Sequence, residues 1–155
     1  MSLAFEIGSP AFKSDETIPV AYTCSGKDIS PSLKWNDVPA GTAAFAIICD
    51  DPDAPGGSWV HWVIYNIPPH LDELLEAIPQ EEKLKNGAVQ GFNDFHRIGY
   101  NGPCPPSGRP HRYIFTIYAL DMMLYFRGEV DKASLLKAME GHILAQASLM
   151  GRYGR

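Results

Sequence analysis

His61, His111 and Tyr113 bear side chains that can do chemistry together, with the carboxylates of the loop just upstream of His61, Asp50, Asp51 and Asp53, as candidate partners. A carboxylate, two imidazoles and a phenol supply proton donors and acceptors, and imidazole changes charge near neutral pH. Their settings are alike. The stretch DDPDAPGGSWVHWVIYN, Asp50 to Asn66, breaks an acidic loop with Pro52 and Pro55, turns at Gly56-Gly57 and enters an aromatic strand carrying His61. The stretch GYNGPCPPSGRPHRYIFTIYALD, Gly99 to Asp121, feeds a Gly/Pro loop into a strand carrying His111 and Tyr113. Prolines fix φ and glycines allow close backbone approach, so both loops suit a preformed pocket whose backbone N–H groups face a bound group.

The elements around these loops read as mainly β. Alternation along the first strand predicts Trp59, His61, Val63 and Tyr65 on one face; along the second, His111, Tyr113, Phe115 and Ile117 share a face opposite Arg112 and Ile114. Ala43 to Cys49 is a continuous apolar run, as expected of a strand buried on both sides. Leu3 to Ile7 reads as a short strand, Ile18–Tyr22 and Leu33–Trp35 as further apolar runs, and turn signals recur at near-regular spacing. That spacing predicts a sandwich of antiparallel sheets forming one domain over residues 1–155.

Two segments have helical spacing. Leu71, Leu74, Leu75 and Ile78 predict a short helix stopped by Pro79. Leu136, Met139, Ile143, Ala147 and Met150 predict a C-terminal helix from Lys132 to about Met150, with Asp131 as N-cap and Gly151 at its end. Gly141 inside it costs roughly 1 kcal/mol against alanine.

Composition narrows the function. A net charge of −5 over 155 residues, with no basic run, argues against nucleic acid. No stretch approaches a membrane span, and no leader is expected before Ala4. Cys24, Cys49 and Cys104 make an odd number without a C-x-x-C pair, which argues against a disulfide framework or structural zinc and for a reducing compartment, with the cytoplasm as the default.

Asp51-Pro52-Asp53-Ala54-Pro55 followed by Trp59-x-His61, and Gly102-Pro103-Cys104-Pro105-Pro106 followed by His111-Arg112-Tyr113, resemble the phosphatidylethanolamine-binding protein family, which includes the Raf kinase inhibitor proteins. Gly91-x-Asn93-Asp94-Phe95 and Tyr118-Ala119-Leu120-Asp121 resemble its bacterial and archaeal branch, and the likeness runs from about Phe5 to Tyr153. The resemblance implies a β-sandwich with few helices and a small anion pocket for phosphate-like groups. It places Asp51, His61, His111 and Tyr113 as the polar residues, Ala54 and Trp59 as wall, and Gly102-Pro103 as backbone rim, and it implies a cis Ala54–Pro55 bond and a homodimer. Val60 stands where animal members have the first of two histidines, and the loop before Trp59 is shorter, so the animal proteins' lipid and kinase partners do not transfer by name.

In such a pocket His61, His111 and Tyr113 would donate to an anion while Asp51 orients an imidazole. Several residues have plainer readings. A histidine on an apolar strand is more often a hydrogen-bonded core residue; Asp53 reads as a turn cap, Arg112 as a brace for the loop, and Cys104 as an ordinary rim residue. Three functions remain: a non-enzymatic receptor for phosphate-bearing or other anionic ligands, regulating a kinase or other signalling protein; a hydrolase, metal-assisted or acid/base, using the pocket of Asp51, His61, His111 and Tyr113, with the two histidines, Asp51 and Asp53 as a divalent-metal set; and a dimeric scaffold with a vestigial pocket. No cofactor is expected.

Overall fold

A computed structural model describes residues 4–155. At its centre lies β3 (Ala44–Asp51), flanked by β4 (Trp59–Ile67) on one side and β7 (His111–Leu120) on the other, all antiparallel. The sheet is completed by β6 (Val89–Gln90) beside β4 and β8 (Ile143–Tyr153) beside β7. A smaller sheet has β2 (Leu33–Asn36) between β1 (Glu6–Gly8) and β5 (Glu73–Leu74). Of the strand expected over Leu3–Ile7, Leu3 lies outside the described residues and pairing begins at Glu6.

Both faces of the large sheet are covered, which is why β3 is apolar without alternation. Leu33, Trp35 and Leu74 of the small sheet pack against Phe45, Ile47, Trp62, Ile64, Phe115 and Ile117. On the outer face Ala46, Ile48, Val63 and Tyr65 lie under Leu124, Val130, Leu135 and Met139. The last two belong to the helix α1 (Lys132–Met139). Burying each of these large side chains contributes about 1.5–3 kcal/mol.

The predicted C-terminal helix is half right. Asp131 caps α1 through a reciprocal pair with Ser134 at 2.9 Å in each direction. The helix then stops at Met139. Gly141, at φ +80°, turns the chain back, and residues expected to be helical form β8. The competing partner is the open edge of β7, which β8 follows from His111↔Tyr153 to Leu120↔Ile143. A long ladder with Leu149 buried outweighs the helix propensity of an exposed stripe.

The helix predicted over Leu71–Ile78 is absent. Glu73 and Leu74 pair with β2, and Ala77, at φ +62°, donates its N–H to the Ser30 carbonyl. Leu74 is buried while Leu75 is 67% exposed, so the apolar residues share no face. An eight-residue helix has little stability of its own, and the strand edge of β2 takes its backbone instead.

Cys24 and Cys104 form a disulfide, with Cα atoms 5.3 Å apart, contrary to the expectation drawn from an odd cysteine count. The odd thiol is the buried Cys49. With the pair oxidised, cysteine usage no longer argues for a reducing compartment. Among the described residues, no helix is long and apolar enough to cross a membrane.

Candidate functional site

At one end of the large sheet the last residue of β3, Asp51, faces Trp59, the first of β4. Asp50 pairs with Val60 and Cys49 with Trp62, so His61 is an extra residue, a β-bulge. The bulge overturns the expected alternation. His61 turns toward the Tyr113 ring, 5.3 Å away and nearly perpendicular, whereas Val63 and Tyr65 join the outer-face core. Its backbone carbonyl accepts the Asn101 N–H at 3.1 Å, and its Nδ1–H donates to the Asn101 carbonyl at 2.6 Å. That donor role fixes the neutral tautomer with an unprotonated Nε2. Burial holds the His61 pKa below its ordinary 6.5, against the opposing pull of the Asn101 carbonyl and of Asp51.

On β7 the expected alternation is observed. His111 and Tyr113 face inward and Arg112 outward. Asp51 is 3% exposed, and both its oxygens are engaged: Oδ1 accepts the Asp53 N–H and Oδ2 accepts Nδ1–H of His111, each at 2.7 Å. Asp53 in turn grips Arg112, taking its backbone N–H and Nε–H on Oδ2 and an Nη2–H on Oδ1 at 2.8–2.9 Å. Hydrogen bonds from the Arg112 side chain lower the Asp53 pKa to about 2. Asp53 and Arg112 thus lash the acidic loop to the start of β7.

The side chains of Asp51, Ala54, Trp59, His61, His111 and Tyr113 border one cavity of about 280 Å3. Its wall is largely aromatic: Trp59 and His61 both meet the ring of Phe95, at 5.5 and 5.3 Å. Tyr113 borders the cavity, but its hydroxyl is covered, with the Asp51 carboxylate beside it and no partner in full hydrogen-bond geometry. Burial, then the nearby Asp51 charge, pushes its pKa far above the usual tyrosine range, so the phenol stays protonated and remains a donor.

Gly102 and Pro103 do not form the rim. The Gly102 amide donates to Asp28 Oδ1 at 2.7 Å and the Pro103 carbonyl accepts the Cys24 N–H at 3.0 Å, and neither residue borders the cavity. Cys104, Pro105 and Pro106 form it instead. They are anchored by the disulfide and by Arg155 Nε–H on the Pro105 carbonyl at 2.7 Å. Two of the three are prolines without N–H groups, so this rim contributes shape more than backbone donors. The Ala54–Pro55 bond, expected to be cis, is trans.

Phe95 is the wall residue that residue-by-residue reading missed, although it ends the Gly91-x-Asn93-Asp94-Phe95 stretch. Asn93 Oδ1 accepts the Phe95 and Arg97 N–H groups, and Asp94 Oδ2 accepts the Val60 N–H at 2.7 Å, fixing the turn against β4. Among the described residues no group of three or more His, Cys, Asp or Glu is disposed to hold a metal. Asp53 in particular is committed to Arg112.

Comparison with known proteins agrees with this architecture. A family model described as phosphatidylethanolamine-binding protein matches residues 8–154. A UPF0098 protein of Methanothermobacter thermautotrophicus is 51% identical over 94% of this chain and 95% of its own. One from Aquifex aeolicus is 49% identical over 97% and 88%. Among solved structures, a putative phosphatidylethanolamine-binding protein homolog from Chlamydia trachomatis superposes with a TM-score of 0.89 at 42% identity, covering 98% of both chains. YbcL of E. coli, described as a new member of the mammalian family, gives 0.91 at 34% identity, covering 99% of both. With a family model spanning nearly its whole length and relatives near half identity, this chain belongs to the phosphatidylethanolamine-binding protein family.

Proposed function

We propose that the protein is a non-enzymatic receptor whose cavity takes a phosphate-like anionic group. The observation that carries this reading is the His111 imidazole, oriented by Asp51 at the wall of a cavity that His61 and Tyr113 also border. The Tyr113 hydroxyl lies covered beside Asp51, and a ligand oxygen reaches it only with a shift of the ring. His111, oriented by Asp51, presents its second ring nitrogen as a further donor when protonated. His61 has a different role from a simple donor. Its Nε2 accepts, which suits the proton of a phosphate monoanion; a dianion requires His61 to take up a proton. Affinity therefore falls as pH rises through about 6, where a phosphate monoester loses the proton that His61 accepts.

On this reading the receptor regulates or inhibits a kinase or another signalling protein and acts as a homodimer, and membership of the family supports that setting. The hydrolase reading has less support, since both oxygens of Asp51 are engaged and Asp53 braces Arg112. The test is calorimetric titration with inorganic phosphate, phosphoethanolamine and phosphotyrosine at pH 6 and 8, for wild type and His111→Ala. Binding at pH 6 that weakens at pH 8 and is lost in the variant supports the receptor. No binding by any of the three would leave the scaffold reading in its place.

A further inference from the structure

Beside the cavity, across His111, runs a second depression of about 490 Å3, bordered by Asp53, Arg109, Pro110, His111, Arg112 and Arg152. His111 is common to both walls. On a chain of net charge −5, three of the six arginines gather here. Arg112 and Arg152 sit directly opposite each other on β7 and β8, a like-charge cross-strand pair that is destabilising by itself. Each is held by a carboxylate: Arg112 by Asp53, and Arg152 Nε by Asp15 at 2.6 Å. Those contacts use only part of each guanidinium, which has five N–H donors, and they set its orientation. Arg109 has no carboxylate within ion-pair distance among the described residues. The depression thus combines one uncompensated cation with two oriented guanidinium forks.

We infer that the cavity and this depression form a two-part anion site, in which Arg109, Arg112 and Arg152 receive a second anionic group of a ligand whose phosphate enters between His61, His111 and Tyr113. This rests on the receptor reading above and extends it to a ligand class: small organic molecules with two separated anionic groups, such as bisphosphates or phosphocarboxylates. Arginine forks match the planar oxygen pairs of such groups, and the doubled charge explains why an acidic protein would concentrate arginine at this edge.

The experiment is titration of the full chain, at pH 6 and low ionic strength, with propyl phosphate and with propane-1,3-diyl and butane-1,4-diyl bisphosphates. The expected result is that a bisphosphate binds about tenfold or more tightly than the monoester, the worth of one or two charge-assisted hydrogen bonds. In Arg109→Ala that ratio should fall toward one, and Arg109→Lys should restore part of it. Unchanged urea midpoints would show that the variants remain folded. A monoester that binds while neither bisphosphate gains, or a gain insensitive to Arg109→Ala, overturns the inference and leaves the receptor reading standing. If no probe binds, both fall.

Discussion

His111 donates its Nδ1–H to Asp51 Oδ2 at 2.7 Å, joining residues 60 apart in sequence, with both side chains nearly buried. The contact orients the imidazole and directs its second ring nitrogen. Replacing Asp51 by Asn keeps the shape and removes the charge. Phosphate affinity at pH 6 should then fall about tenfold or more, since hydrogen bonds to charged groups contribute about 1.5–3 kcal/mol. Calorimetry on the variant checks this, and undiminished affinity would remove Asp51 from the site.

Tyr113→Phe separates binding from stability. The hydroxyl is buried beside Asp51 without a partner in full hydrogen-bond geometry, so its removal should leave the protein equally stable or more stable by about 1 kcal/mol. Phosphate binding should weaken in the same variant. A urea titration beside calorimetry reads both, and a large loss of stability would mean that the hydroxyl serves the fold.

His61 predicts a pH dependence of stability. Its folded pKa lies below the ordinary 6.5, so between those values the unfolded chain binds more protons. Its contribution is therefore complete above about 6.5 and is lost as pH falls toward the folded value. The urea midpoint should drop between pH 7.5 and 5, and His61→Gln should flatten that part of the profile. A His61 ring resonance titrating above 6.5 would contradict the prediction.

The Cys24–Cys104 bond closes a separation of 80 residues and stands at the cavity rim. Replacing both cysteines by serine should cost about 2–4 kcal/mol. Peptide mapping without reductant should recover the two halves linked. Free thiols at both positions in air-oxidised protein would refute the pairing.

Gly102 stands where a side chain has no room. A Cβ there would lie 2.1 Å from the Tyr22 carbonyl oxygen and 2.7 Å from Asp28 Oδ1. Gly102→Ala should destabilise by about 2 kcal/mol or more through overpacking and loss of the Asp28 contact. Thermal unfolding measures it, and a neutral result would place the loop differently.

What the sequence determined by itself is local. The apolar run of β3, the alternation of β7 and the Asp131 cap are patterns a few residues long, and each is carried by burial or by a neighbouring hydrogen bond. The loops that bring Asp51, His61, His111 and Tyr113 to one cavity were legible for the same reason, since proline and glycine set backbone shape wherever they stand. Tertiary structure decided what depends on a partner distant in sequence. Ile143 to Met150 satisfied a helical spacing, yet β7 offered an unpaired edge and a strand resulted. Leu71 to Ile78 lost its helix to β2 and Ser30. Cys24 met Cys104 across 80 residues, and the rim moved from Gly102-Pro103 to Cys104–Pro106 because Asp28 and Cys24 claimed the earlier backbone. The bulge that aims His61 at Tyr113 exists only in the pairing of β4 with β3. Sequence periodicity records which side of a segment is apolar; which other segment lies across it is settled only when the chain has folded.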